Sequence, residues 1–430
     1  MVLPTIYHYT KQSRSFQLNG GSFGIATTGS QGSVQVTNSS NSSGYENVFI
    51  GVGSGALNSE SGMVFVGAHA GASNIDGTQN TFIGYNAGFY NDGVTAFANT
   101  FIGYRSGQSN SGGMQAGQWN TFVGACSGIS NTTGRFNVFI GKDSGLNNAV
   151  GHANTFVGSQ TGYSNTNGVY NTFVGNRSGF YNNSGCNNTF IGNDTGYYNN
   201  SSSNNTFIGS CAGLNNTEAG LNTFIGHAAG YSNAGTTGAS NTFIGSCAGY
   251  NSSGASNTFI GESAGKFNVS GHTNVAIGQL AHGSNCGNSA GSRNIFIGHA
   301  SGYRTEESDN VFIGYASGFC NASGYRNTFI GANSGYSNVS GVANTFIGYY
   351  SGQTNITGIA NTFIGSESGT SATSCSIAIG ACAIPLADGE IAIGSATYPV
   401  LLSSSAGTGA CNLVIRLNGD CYKIPLLAIA

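Results

Sequence analysis

The side chains best able to do chemistry in this 430-residue chain are 15 acidic residues and seven histidines, and their spacing argues against a shared site. Asp143 and Asp194 recur at the same point of a repeated phrase, but three repeats apart. A glycosidase pair needs its carboxylates within ~10 Å. His227 and His299 also share a repeat position, four repeats apart, so they form no metal cluster. Gly20-Gly-Ser-Phe-Gly24 has the spacing of a nucleophile elbow. With 71 glycines in the chain, that match is expected by chance, and no strand-to-helix context supports it. The Asp-rich nonapeptide of calcium-binding β-rolls is absent. The residues therefore predict no catalytic, cofactor or metal site, and a chain that is not an enzyme. A polysaccharide-degrading tailspike would lack its carboxylates.

Three other residue sets could carry function. The ten cysteines are scattered: Cys126, Cys211 and Cys247 share a repeat position in units that do not adjoin. Units stacked ~4.8 Å apart put them beyond disulfide reach. They read as small buried hydrophobes, with Cys411 and Cys421 as the one pair worth testing. Trp119, the single tryptophan, sits in an insertion. It could stack on a sugar ring, making it the candidate ligand contact, or pack over the adjacent unit. Asn131, Asn182, Asn268, Asn321, Asn338 and Asn355 begin Asn-X-Ser/Thr triplets in predicted turns and could accept glycans, although a chain this rich in Asn and Ser generates such triplets freely.

The elements that would position these residues follow from one repeated phrase. Asn-Thr-Phe-Ile-Gly recurs 21 times between Asn47 and Gly394, and 11 of the 20 intervals are 17 residues long. A fixed period of this length marks a solenoid, in which each coil is stable only when stacked on its neighbours. Coil 171–187 is typical. Thr172, Phe173 and Val174 favour strand, Gly175 permits the bend that ends it, and Asn182 to Gly185 has turn chemistry. A second short strand is expected around Ser178-Gly179-Phe180. The fold class is thus all-β: a parallel β-roll or β-solenoid of about 21 coils, two short strands each, with small β caps at both ends.

Position 3 of the coil is Phe in 18 coils and position 4 is Ile or Val in all 21. Neighbours on a strand point to opposite faces, so one ladder is interior and the other lies outside. The outer ladder of a rod ~100 Å long would expose on the order of 1,000 Å² of apolar surface, more than a monomer usually leaves bare. Its simplest partner is another copy of the chain. In the last two coils, Ser376–Gly380 and Glu390–Gly394, positions 2 and 4 are both Ile and position 3 is Ala. That pattern suggests an interior ladder of Val174, Ile191 and Ile208, with Phe173, Phe190 and Phe207 at the oligomer axis. Asn171, Asn188 and Asn205, at position 1, are expected to hydrogen-bond along the rod.

The Ile-Ala-Ile-Gly phrase and its 14-residue spacing resemble the head repeat of trimeric autotransporter adhesins, the YadA-like head. The Asn-Thr-Phe-Ile-Gly version resembles a longer-coil relative in phage and large-virus fibre proteins. The resemblance covers roughly residues 45–395. It implies a left-handed, parallel, trimeric β-roll that adheres to surfaces. No secretory signal and no run of strands long enough for an anchor barrel is seen, so the virion-fibre version fits better. Asn412 to Leu427 resembles the strand-turn-strand ending of such fibres, with Asn418-Gly419 as its turn.

The expected organisation is an N-terminal cap or attachment segment over 1–44, the solenoid over 45–395, and a linker with a β-hairpin cap over 396–430. Insertions near Gly93–Ala98, Ser111–Trp119, Ala234–Ser240 and Gly283–Arg293 are expected loops on a binding face. A net charge of −3 gives no case for nucleic acid or an anionic membrane, and no apolar run is long enough to insert in a bilayer. The expectation is a structural or adhesive surface fibre, virion-borne or extracellular. It would be a homotrimer able to join end to end, with a host glycan or surface receptor as partner. The alternative is an ice-binding solenoid, because Thr occupies position 2 in 13 coils. That idea fails if position 2 faces inward.

Overall fold

A computed structural model describes residues 47–92, 96–111, 116–233, 238–283, 290–369 and 373–397, with two further strands at 412–417 and 420–425. Strands β1 (Val48–Ile50) to β21 (Ile391–Ile393) form one 21-stranded parallel sheet, each paired with the strand of the next coil. The register is position for position: Thr172 faces Thr189, Phe173 faces Phe190, and Val174 faces Ile191. The chain is therefore a parallel β-solenoid. β22 (Asn412–Leu417) and β23 (Asp420–Pro425) make a separate antiparallel pair. The 1–44 segment, most of the 396–430 region, the Asn418-Gly419 turn and the tips of all four insertions lie outside the described residues.

Each coil contributes one three-residue strand rather than two. The stretch expected to be a second strand, Ser178-Gly179-Phe180, is a turn. Gly179 sits at φ +59° and Arg177 at φ +51°, both incompatible with an extended chain. Its backbone is still paired between coils. Gly179 N–H donates to the Thr195 carbonyl at 2.9 Å, and Tyr181 N–H to the Tyr197 carbonyl at 2.9 Å. A ladder of inter-coil bonds thus runs through turn as well as strand, meeting the demand that buried backbone groups be paired.

The interior assignment is the reverse of the expected one. Phe173, Phe190 and Phe207 are fully buried, whereas Val174 and Ile208 are half-buried and Ile191 is 38% exposed on the outer face. Successive Phe rings stack with centroids 4.7–4.9 Å apart over most of the rod, nearly parallel. The physical reason lies across the coil, at position 9. A Cβ on Gly179 would fall 2.4 Å from the edge of the Phe173 ring. Only glycine leaves room for a phenyl group inside, and it also tolerates the left-handed φ there.

Phe at position 3 and Gly at position 9 occur in the same 18 coils, and both are missing from the same three. In coil 274, Ala276 takes the place of Phe and His282 takes the place of Gly. The imidazole enters the vacated slot, 2% exposed, with its centroid 4.9 Å from that of Phe296 and 6.4 Å from that of Phe259. The last two coils also carry Ala, because a 14-residue step closes around a narrower core. Ala378 is fully buried and Ile379 is 45% exposed. Those coils show the same inward and outward sides as the rest, with a smaller inward residue.

Two buried asparagine columns line the interior. Asn171 N–H donates to Asn154 Oδ1 at 2.9 Å, and its Nδ2 donates to the Gly185 carbonyl at 2.7 Å. Asn188 repeats both bonds, and Asn205 repeats the first, while its Nδ2 donates to Ser202 Oγ at 2.8 Å. At position 12, Asn182 Nδ2 donates to Asn165 Oδ1 at 3.0 Å and to Gly185 O at 3.1 Å. The position-12 column breaks at Ser252, and Asn233 Oδ1 in the preceding coil is left without a hydrogen-bond partner. Ser178 Oγ, also buried, donates to the Phe190 carbonyl at 3.1 Å.

Candidate functional site

With Phe inside, positions 2 and 4 share the outer face of the sheet. In-register pairing stacks position 2 into a column of Thr and Val, joined by Ile295, Ile377 and Ile391, and position 4 into a column of Ile and Val. Ile83, Ile102, Ile140, Ile191, Ile347, Ile364, Ile379 and Ile393 are all exposed. Among the described residues this is the one apolar surface that runs through every coil, and it carries no charged side chain. Methyl groups of β-branched residues held on a flat sheet offer a surface suited to burial against another flat surface.

The remaining outer positions form shorter columns. At position 10, Tyr163, Phe180 and Tyr197 stack at 4.8 and 5.1 Å, and Tyr231 stacks on Tyr250 at 4.8 Å. Burial pushes the Tyr197 and Tyr250 hydroxyls above the ordinary tyrosine range. Trp119 is the last residue of its coil, at φ +55°. Its ring stacks on Phe136 at 4.7 Å and meets Phe97 edge-on at 5.0 Å, leaving it 43% exposed. It packs over the adjacent coil and keeps an open edge as well.

The titratable residues singled out by spacing do not converge. Asp194 binds Arg177 of the preceding coil, with Nε 2.7 Å from Oδ1 and Nη2 donating to Oδ2 at 2.8 Å. Asp143 pairs with Lys142 at 3.1 Å. His299 stacks on Tyr315 at 5.2 Å. Among the described residues no group of three His, Cys, Asp or Glu could hold a metal ion. His282 is the exceptional titratable group: burial drives its pKa down to about 4, partly opposed by the Thr305 carbonyl 3.2 Å from Nε2. That residue escaped the reading of spacing, although the paired loss of Phe and Gly in its coil was a usable signal.

The seven cysteines of the described solenoid, from Cys126 to Cys382, are free thiols. Burial, and then the Asp143 carboxylate, push the Cys126 thiol up, which disfavours the reactive thiolate. Cys421 lies opposite Arg416 and Asn412 opposite Pro425, four residues along the strand, so this register does not bring the neighbour of Cys411 to Cys421. Cys411 itself lies outside the described residues. The six Asn-X-Ser/Thr asparagines are all fully buried, their amides in the position-12 column, so they are closed to glycosylation in the folded rod. No helix of the described residues is long and apolar enough to cross a membrane. No protein-family model, curated protein or solved structure matches the chain.

Proposed function

We propose that this chain is a structural, adhesive surface fibre: a parallel homotrimeric rod whose outer Thr/Val and Ile/Val columns meet at the axis and whose turns and insertions face a host or other surface. The carrying observation is that apolar outer face, continuous over 21 in-register coils, while the inter-coil backbone bonds and most of the asparagine columns are paired internally. A stripe of that length, on the order of 1,000 Å², exceeds what a monomer usually exposes. A uniform stripe on a rod is matched in length and register by the same stripe on a second and third copy. The Ile-Ala-Ile-Gly phrase similar to adhesin heads supports the same reading, and so does a chain with 6% charged residues, few of them able to interrupt such contacts. A location on a virion or outside the cell belongs to this proposal.

Sedimentation equilibrium tests it: the expected species has three times the 43.6 kDa chain mass. Replacing Ile191, Ile208 and Ile225 together by Lys should release monomers that keep the β-solenoid circular dichroism. A monomeric wild-type rod at micromolar concentration would refute the trimer.

One observation favours a second reading. Position 2 faces outward, so the Thr column stands beside the Ile/Val column on a flat, regularly spaced surface, as ice binding requires. The two readings exclude each other, because a buried face cannot meet ice. Thermal hysteresis from a monomer would select the second.

A further inference from the structure

We infer that a groove across the core from the strand binds a neutral glycan chain, a conclusion that rests on the adhesive reading above and names its ligand class. The groove, about 860 Å³, passes five consecutive coils from Asn147 to Thr217. Gly179 lies over the inner edge of the Phe173 ring, which places the stretch that follows it on the side away from the outer strand face. Trimer contacts at positions 2 and 4 therefore leave this side open.

The groove has a built aromatic element. Tyr181 and Tyr198 stack with centroids 5.5 Å apart and planes 5° from parallel, and each is 44% exposed. They are held upright by edge-on contacts, Tyr181 to Phe180 and Tyr197, and Tyr198 to Tyr197. Because the rings stack from coil to coil, their two outer faces look along the rod. The coils on either side carry Ser164 and Asn215 at the same position, so each outer face opens onto a slot.

The floor is polar and uncharged: Thr166, Asn183, Asn200 and Thr217 form a column parallel to the tyrosines. Thr166 Oγ1 donates to Asn183 Oδ1, which orients that amide along the groove. A pyranose has an apolar C–H face that suits an aromatic ring and hydroxyls that suit amides and threonine hydroxyls. None of the nine lining residues is charged, which disfavours phosphate-bearing and carboxylate-bearing ligands. Repetition along the rod favours a polymer over a single sugar.

The test is calorimetric titration of the full chain with linear oligomers of β-linked glucose, of mannose and of N-acetylglucosamine, beside oligogalacturonate as an acidic control. At least one neutral series should bind, with affinity unchanged between about 50 and 500 mM salt. Tyr181→Ala with Tyr198→Ala should weaken it roughly tenfold per ring. Tyr85→Ala with Tyr104→Ala, a stacked exposed pair outside the groove, should leave it within about twofold. Absence of binding by every neutral series, equal losses in the two variants, preference for the acidic oligomer, or capture of a protein through Tyr181 and Tyr198 without sugar binding would each overturn the assignment. Sedimentation of the same samples separates the two proposals. A trimer that binds no neutral series ends the glycan assignment alone, and a monomer that binds ends the trimer alone.

Discussion

Exchanging the pair in coil 274 for the pair used in 18 others, Ala276→Phe with His282→Gly, probes the core directly. His282→Gly alone empties a buried slot beside Ala276. Deleting a buried ring costs about 3–5 kcal/mol, offset by about 1 kcal/mol because glycine relaxes the φ of +52°. Ala276→Phe alone forces a phenyl group against the imidazole. Equivalent glycines elsewhere leave a Cβ under 3 Å from the ring, so the loss should be at least the ~1–3 kcal/mol of overpacking. The double variant should recover both losses. It should exceed the wild type by about 1–3 kcal/mol, through two ring stacks and the relaxed backbone.

The pH dependence supplies an independent readout. The folded His282 pKa, about 4, lies below the ordinary 6.5, so the unfolded chain binds this proton more tightly. The neutral imidazole's contribution is complete above about pH 6.5 and is lost as pH falls toward 4. Over that window the loss is about 3 kcal/mol. A solenoid opens locally, so the assay is amide hydrogen exchange of coil 274–283 measured against coil 327–343 in the same sample. The wild type should lose protection in coil 274 relative to the reference as pH drops from 7 to 4.5, and the double variant should not. Equal pH responses, or a double variant no more protected than Ala276→Phe alone, would refute the complementary-packing argument.

Phe190→Ala should cost about 3–5 kcal/mol by chemical denaturation, because the ring is fully buried between two others. Ile191→Ala, one residue on, should cost under about 1.5 kcal/mol in a dissociated chain, and its larger effect should appear in sedimentation. Asn182→Ala removes two donated bonds, leaves Asn165 Oδ1 without its donor and reduces Asn199 Nδ2 to its bond with the Ser202 carbonyl, so a loss of about 2–4 kcal/mol by chemical denaturation is expected. Ser252→Asn should stabilise by about 1 kcal/mol in a urea melt by giving Asn233 Oδ1 a donor. The 16-residue coil at Asn58 already accommodates such an asparagine, whose Nδ2 reaches the Glu60 carbonyl at 2.7 Å. Arg177→Ala should cost about 1 kcal/mol in a urea melt, since the Arg177 side chain is 42% exposed while its partner Asp194 is only 15% exposed.

The period and strand composition carried the architecture, because a 17-residue unit with one Gly-terminated β-branched phrase has few ways to bury its apolar residues. The direction of the faces did not follow from the same pattern. Alternation states that Phe173 and Val174 oppose each other and is silent on which is inside. Reasoning from the Ile-Ala-Ile coils misled, since their shorter step shrinks the core. The deciding information sat six residues away, in the Gly179 that faces Phe173. A cross-core pair of this kind has no strand or helix period and is visible only when repeats are compared with one another. The Asn182 sequon was ambiguous for a related reason. Asn in a turn and Asn in a buried column read alike until its neighbours at Asn165 and Asn199 are in place. The tyrosine groove was invisible because Tyr181 and Tyr198 are two of 21 tyrosines, distinguished only by the small residues on either side of them.

Position-for-position register has a consequence for how such a rod changes over generations. Coils fit whichever neighbour they meet, since the phenyl stack, the two amide columns and the inter-coil backbone bonds are the same at almost every junction. Duplicating or losing one unit during copying of the gene therefore leaves the cross-section intact and alters only extent, in steps of ~4.8 Å. The molecule behaves as a ruler whose graduations are written into the chain, so reach can be adjusted without redesigning any contact.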